Sequence, residues 1–193
     1  MFQWFSFLVY AFTTAATPGP NNIMSMTNGN RVGFKKDLPF NLGIWVGFSV
    51  VMVLCTAFCS LLSTYIPKIK LPMLIIGAIY MLYLACLTFR SSSRIGENDS
   101  RSGFLSGLFL QFVNPKIYIY CIMSMEAYIL PYYNGQTLIL LGFSMLLAFI
   151  GFTFTLCWSA FGSVFKALFA KYARVVNTVM ALLLVYCAIS LFI

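Results

Sequence analysis

The chain has 193 residues, 61% of them apolar and only 8% charged, with a mean hydropathy of +0.92. No soluble domain of this size has enough interior to bury that much apolar surface, so the composition excludes a soluble globular protein and implies an integral membrane protein. The net charge of +8 does not point to nucleic acid, because the basic residues fall in short gaps between apolar runs rather than in a groove-binding stripe.

The first apolar segment covers approximately residues 2–27. It opens "MFQWFSFLVYAFTTAATPGP" without a basic n-region, so it reads as a membrane span rather than a cleaved signal peptide. Inside it lies "TPGPNN", residues 17–22. Pro18 and Pro20 each remove a backbone donor and disfavour helix at the residue before, and Gly19 sits between them. Regular helix through 17–20 is not expected. Freed carbonyls at membrane depth are tolerated only where protein or a watery cavity supplies partners. Asn21 and Asn22 follow, and asparagine is a good N-cap, so a second half-helix is expected to start there.

Five further segments run approximately 40–64, 71–90, 104–131, 137–161 and 175–193. Each is near or above the roughly 20 residues a helix needs to cross a bilayer. The intervening stretches read as loops, beginning with "NGNRVGFKKDLP" after the first span. Gly43 and Gly47 in the second span and Gly103 and Gly107 at the start of the fourth form GxxxG pairs, which predict close helix packing. The six cysteines all lie inside apolar runs without CxxC spacing, and there is no histidine. They read as reduced, buried residues, and no metal site is expected.

The fourth span carries "QFVNPK", residues 111–116. Lys116 falls near its middle, where a lysine costs roughly 3 kcal/mol and is functional by default. Of the four acids, Asp37, Glu97 and Asp99 fall in loops or at their edges, and Glu126 lies ten residues further on, about 15 Å along a helix. The sequence thus offers Lys116 no counter-charge at the membrane midplane. Amides and carbonyls of the broken spans, loss of its proton, or a bound anionic group could each accommodate it.

Basic residues in the first, third and fifth gaps number nine: Arg31, Lys35, Lys36, Arg90, Arg94, Arg101, Lys166, Lys171 and Arg174. The second and fourth hold only Lys68 and Lys70. That bias places the odd loops in the cytoplasm and both termini outside. Three spans per half also invert the second half relative to the first. Each half opens with a span broken by proline and asparagine, and interrupted spans at matching positions of inverted halves point to a transporter binding site. The expected architecture is an all-α membrane domain over 1–193. Its six helices form a 3+3 inverted repeat: residues about 1–90, a cytoplasmic linker about 91–103, then residues about 104–193.

"TPGPNN", "RVGF", "LQFVNPK" and "LLLVYCAISLF" resemble the lysine exporter family of six-span bacterial amino-acid exporters, most nearly its cysteine and O-acetylserine branch. The resemblance implies efflux of small amino acids across the bacterial inner membrane, driven by the proton gradient. It carries over Pro18, Gly19, Pro20 and Asn21 of the first motif and Asn114, Pro115 and Lys116 of the second. Asn22 and Gln111 complete the candidate substrate site, and Lys116 is also the proton-coupling candidate. Some members of the family have aspartate after the second proline, where this chain has Asn21. One negative charge fewer suits neutral zwitterions better than lysine or arginine.

Expected partners are a small amino acid, protons and lipid, with no cofactor and no nucleic acid; a homodimer is compatible with the residues. Other readings are export of homoserine, threonine or lysine, a membrane thiol relay, an intramembrane enzyme and a passive pore. A relay needs cysteines on both broken spans, and the first has none. An enzyme would have no histidine, no midplane acid pair and no HExxH to work with, so no catalytic residue is assigned.

Overall fold

A computed structural model describes residues 2–58, individual positions between 75 and 89, and residues 103–165 and 172–189. Among the described residues every regular element is helical. The expected third span, the linker after it and the loop around 166–171 lie largely or wholly outside the described residues. The six-span count and the inverted repeat therefore remain expectations.

The first span breaks where the prolines require. Helix α1, Trp4–Ala16, ends before an extended Thr17 (φ −61°, ψ 146°), and α2, Pro20–Val32, restarts at once. Pro20 occupies the first helical position, where its missing N–H has no intrahelical partner to lose. Gly19 precedes it as the N-cap residue, so neither Asn21 nor Asn22 caps the half-helix as the sequence suggested.

Helix α2 is polar in composition, "PNNIMSMTNGNRV", yet nine of its thirteen residues are buried. It packs against the two longest helices, α3 (Phe34–Ala57) and α7 (Thr137–Val164). The stretch read as a loop, residues 28–39, is helical on both sides of Gly33. Gly33, at φ +86°, makes the turn from α2 into α3 by itself. A left-handed backbone is accessible to glycine at little steric cost, so one residue replaces the expected loop.

The fourth span divides in the same way. Helix α4, Phe104–Val113, is separated by Asn114 from α5, Pro115–Ser124. A wide π turn, Met125–Ile129, and the short α6, Leu130–Tyr133, complete this region. Helix α8, Ala173–Ile189, is the last described element.

Helices α3 and α4 lie side by side at glycines. A Cβ on Gly43 or Gly107 would collide with the backbone of Phe104 or Phe40 respectively, and one on Gly47 would stand 2.7 Å from the Leu108 carbonyl oxygen. The close packing expected of the GxxxG pairs is therefore present at three of the four glycines. Helices α3 and α7 are each long and apolar enough to cross a membrane. Large apolar side chains also face outward, Phe5 at 83% and Leu138 at 86% exposure, as suits a lipid-facing surface.

The apolar core has two parts. One gathers Phe7 and Ala11 of α1, Ile117, Tyr120 and Cys121 of α5, and Leu147 of α7. The other gathers Ile23 and Met26 of α2, Leu110 of α4, and Leu184 and Ala188 of α8. Each interrupted span sends one half to each cluster, with the breaks at the junction.

Candidate functional site

Interrupting a helix leaves carbonyls without partners, and the structure supplies them one by one. In the first break, the Asn22 side-chain amide donates to the carbonyls of Ala15 (2.8 Å) and Thr17 (2.9 Å). The Trp158 indole N–H donates to Ala16 O at 3.3 Å, and the Cys187 thiol approaches Pro18 O at 3.8 Å. In the second break, Asn114 caps α5 by accepting from the Lys116 backbone N–H at 3.1 Å. The Tyr118 hydroxyl donates to Phe112 O at 3.1 Å.

The two breaks touch. Asn21 Nδ2 donates to Gln111 Oε1 at 2.8 Å, and Gln111 Nε2 returns a bond to Asn21 Oδ1 at 3.2 Å. Asn114 Nδ2 also donates to Asn21 Oδ1, at 3.0 Å. Gln111 is wholly buried and has a second acceptor in Gly107 O at 2.8 Å. Three amides from α2, α4 and the second break thus form one network, saturated by groups up to 93 residues apart.

Lys116 reaches across to the first break. Its ammonium donates to Thr17 O (3.0 Å) and Thr17 Oγ1 (2.9 Å). The stem passes over Gly19, where an added Cβ would stand 3.0 Å from Lys116 Cδ and 3.1 Å from Nζ. A glycine there leaves the room the lysine uses. The ammonium is held by neutral oxygens, one of the three accommodations the sequence left open, and Thr17 is the residue that sequence reasoning missed.

Beside these groups is a partly open cavity, with about 400 Å³ of space not filled by atoms once its open mouth is included. Gly19, Pro20, Asn21, Asn22, Asn114 and Lys116 line it, so six of the nine sequence candidates share one wall system. Pro18, Gln111 and Pro115 do not line it. Gln111 orients Asn21, Pro115 starts α5, and Pro18 stands exposed in the break. Phe48, Ile117 and Tyr120 supply an apolar side, and Thr14, Ala15, Gly151 and Thr155 complete the lining among the described residues. These residues carry no local sequence signal, because they sit in regular helix outside the proline motifs.

Among the described residues the lining contains one cation and no acid. Lys116 and the N-terminus of α2 both favour a carboxylate. Thr14 and Thr155 hydroxyls and the Asn114 amide oxygen offer acceptors to an ammonium.

A cysteine/O-acetylserine efflux protein of Klebsiella pneumoniae subsp. pneumoniae is 37% identical, the match covering 96% of this chain and 95% of the relative. Proteins so described from Salmonella typhimurium and Escherichia coli O1:K1 are 36% and 35% identical, each match covering 97% of this chain and 96% of the relative. No solved structure matches. The LysE type translocator family matches residues 12–193, nearly the whole chain, which therefore belongs to that family.

Proposed function

We propose that this protein exports small neutral amino acids, cysteine and O-acetylserine foremost, across the bacterial inner membrane, driven by the proton gradient. The observation that carries the reading is a cavity between two interrupted helices with one ammonium, one open half-helix N-terminus and no carboxylate. The carboxylate of the substrate sits against Lys116 and the first N–H groups of α2. Its ammonium sits against threonine and asparagine oxygens. A second cation, such as a lysine side chain, would meet Lys116 without a compensating acid, so zwitterions are preferred. The relatives' printed descriptions name the same two compounds.

Within this reading six spans cross the membrane as a 3+3 inverted repeat, with both termini in the periplasm. Alternating access then opens the cavity to either side of the fixed site. A thiol relay is less well supported, because no cysteine lines the cavity.

The test is export. Cells overproducing the protein should release cysteine and O-acetylserine faster than controls, with lysine release unchanged. The Asn21→Asp variant should move preference toward cationic substrates. It adds a carboxylate to the wall while keeping the oxygen that accepts from Asn114. Strong lysine export by the unaltered protein, without effect on the neutral compounds, would overturn the substrate assignment.

A further inference from the structure

A second polar cluster lies away from the cavity lining. Asp37, in the first turn of α3, is 0% exposed. Its Oδ2 accepts from Asn41 Nδ2 at 2.6 Å and from Ser159 Oγ of α7 at 2.5 Å. Ser25 of α2 donates to Asn41 Oδ1 at 2.9 Å and holds that amide in place. Asn28 of α2, 1% exposed, faces the carboxylate. Yet among the described residues neither Asn28 Nδ2 nor Asp37 Oδ1 has a hydrogen-bond partner. A fully buried acid with one orphaned oxygen, beside an orphaned amide, is a site with unused binding capacity.

The side chains facing Asp37 are Asn28 from α2, Asn41 from its own helix and Ser159 from α7, and none of them titrates. Lys35 and Lys36 are exposed at the start of α3, and Arg31 is partly buried near the end of α2. Neither oxygen of Asp37 takes a bond from a cationic side chain among the described residues. A buried carboxylate held only by neutral donors is poised between two states: ionised, accepting all the available donors, or carrying a proton.

We propose that Asp37, with Asn28, Asn41 and Ser159, binds the coupling proton at a site separate from the substrate cavity. This rests on the export reading above. The proton binds at Oδ1, the unpartnered oxygen, and no other bond is made or broken. The ionised form draws the Asn28 amide of α2 toward the carboxylate. The protonated form offers a donor instead, so Asn28 must turn or move away.

All three helices that hold the site also line the cavity, α3 through Phe48. On α2, Asn22 lies at the cavity and Asn28 at the acid; on α7, Thr155 lies at the cavity and Ser159 at the acid. On α7 the two positions are four residues apart, about 6 Å on one face, and on α2 they are six apart, about 9 Å along the helix. A shift of α2 against α7 at Asp37 therefore moves the cavity wall.

The test uses the full chain, purified and reconstituted. With four acids in the chain, the carboxylic-acid carbonyl band in pH-difference infrared spectra is assignable. We expect a band that Asp37→Asn removes; the same spectrum from that variant overturns the proposal. In liposomes, Asp37→Asn should keep cysteine counterflow and lose accumulation driven by a pH gradient. Gradient-driven accumulation at the wild-type level overturns the proposal, as does a folded variant that loses counterflow too. Should Asp37→Asn fail to fold, Ser159→Ala keeps the acid and must displace the midpoint of the band's titration; an unmoved midpoint overturns the proposal. Wild-type protein that titrates at Asp37 but carries neither cysteine nor O-acetylserine supports the proton site and defeats the export reading.

Discussion

Lys116 shows how a single residue can be forced into a role by what surrounds it. Among the described residues its ammonium has two oxygen partners, both on Thr17, and no acid in the adjoining cavity wall. In the proposed function a substrate carboxylate supplies the missing charge. Lys116→Met keeps the bulk and removes the cation, so substrate affinity should fall by on the order of thirtyfold or more, about 2 kcal/mol. Titration calorimetry of purified protein measures it. Lys116→Arg retains a charge that does not titrate. It should bind more weakly than wild type, because the stem already fills the space over Gly19. It should still accumulate substrate under a pH gradient, since the proton is assigned to Asp37. Binding without gradient-driven transport in that variant would return the proton to Lys116.

Among the elements, α2 is the one whose composition and position disagree. A helix of such polarity would be expected at a surface. It is instead enclosed, because its polar groups are matched individually: Asn21 by Gln111, Asn22 by the α1 carbonyls, Ser25 by Asn41. The fit against α7 depends on glycine. A Cβ on Gly29 would strike the Ser159 backbone, and one on Gly162 the Met26 carbonyl. Gly29→Ala should therefore destabilise the protein by about 1–3 kcal/mol, as overpacking does. Gly142, also on α7, has nothing within 4 Å of an added Cβ. Gly142→Ala should be neutral or stabilise by up to about 1 kcal/mol, through helix propensity. Thermal unfolding in detergent compares the two; equal melting points would refute the packing account.

At the scale of the whole molecule, the two broken helices divide the core. The α1 and α5 halves enter one apolar cluster and the α2 and α4 halves the other. This exchange is what two inverted, interlocked halves would produce, and the cavity lies where the clusters meet. Orientation follows from charge. In the proposed topology, nine basic residues in the odd gaps against two in the even ones are what predicts cytoplasmic odd loops. A reporter active only in the cytoplasm should give signal when fused at Arg94 or Ala170 and none at Tyr133 or after Ile193. Signal from the C-terminal fusion would remove both the orientation and the inverted pairing.

The sequence by itself determined the membrane class, both helix breaks and the weight placed on Lys116. Each of these is a local or additive property. Apolar content sums over the chain whatever its path, proline removes its own N–H in any context, and a lysine inside an apolar run is visible without its partners. Tertiary structure decided everything that depends on pairing across distance. Local rules made Asn21 a cap, whereas its side chain bonds Gln111, 90 residues away. Thr17, Trp158 and Thr155 gain their roles only because α1, α5 and α7 converge. "RVGFKKDLP" reads as a charged loop, yet Gly33 turns the chain in one residue and α2 and α7 close over Asp37. Burial of an acid is settled by the groups that surround it, and here its two donors come from two different helices.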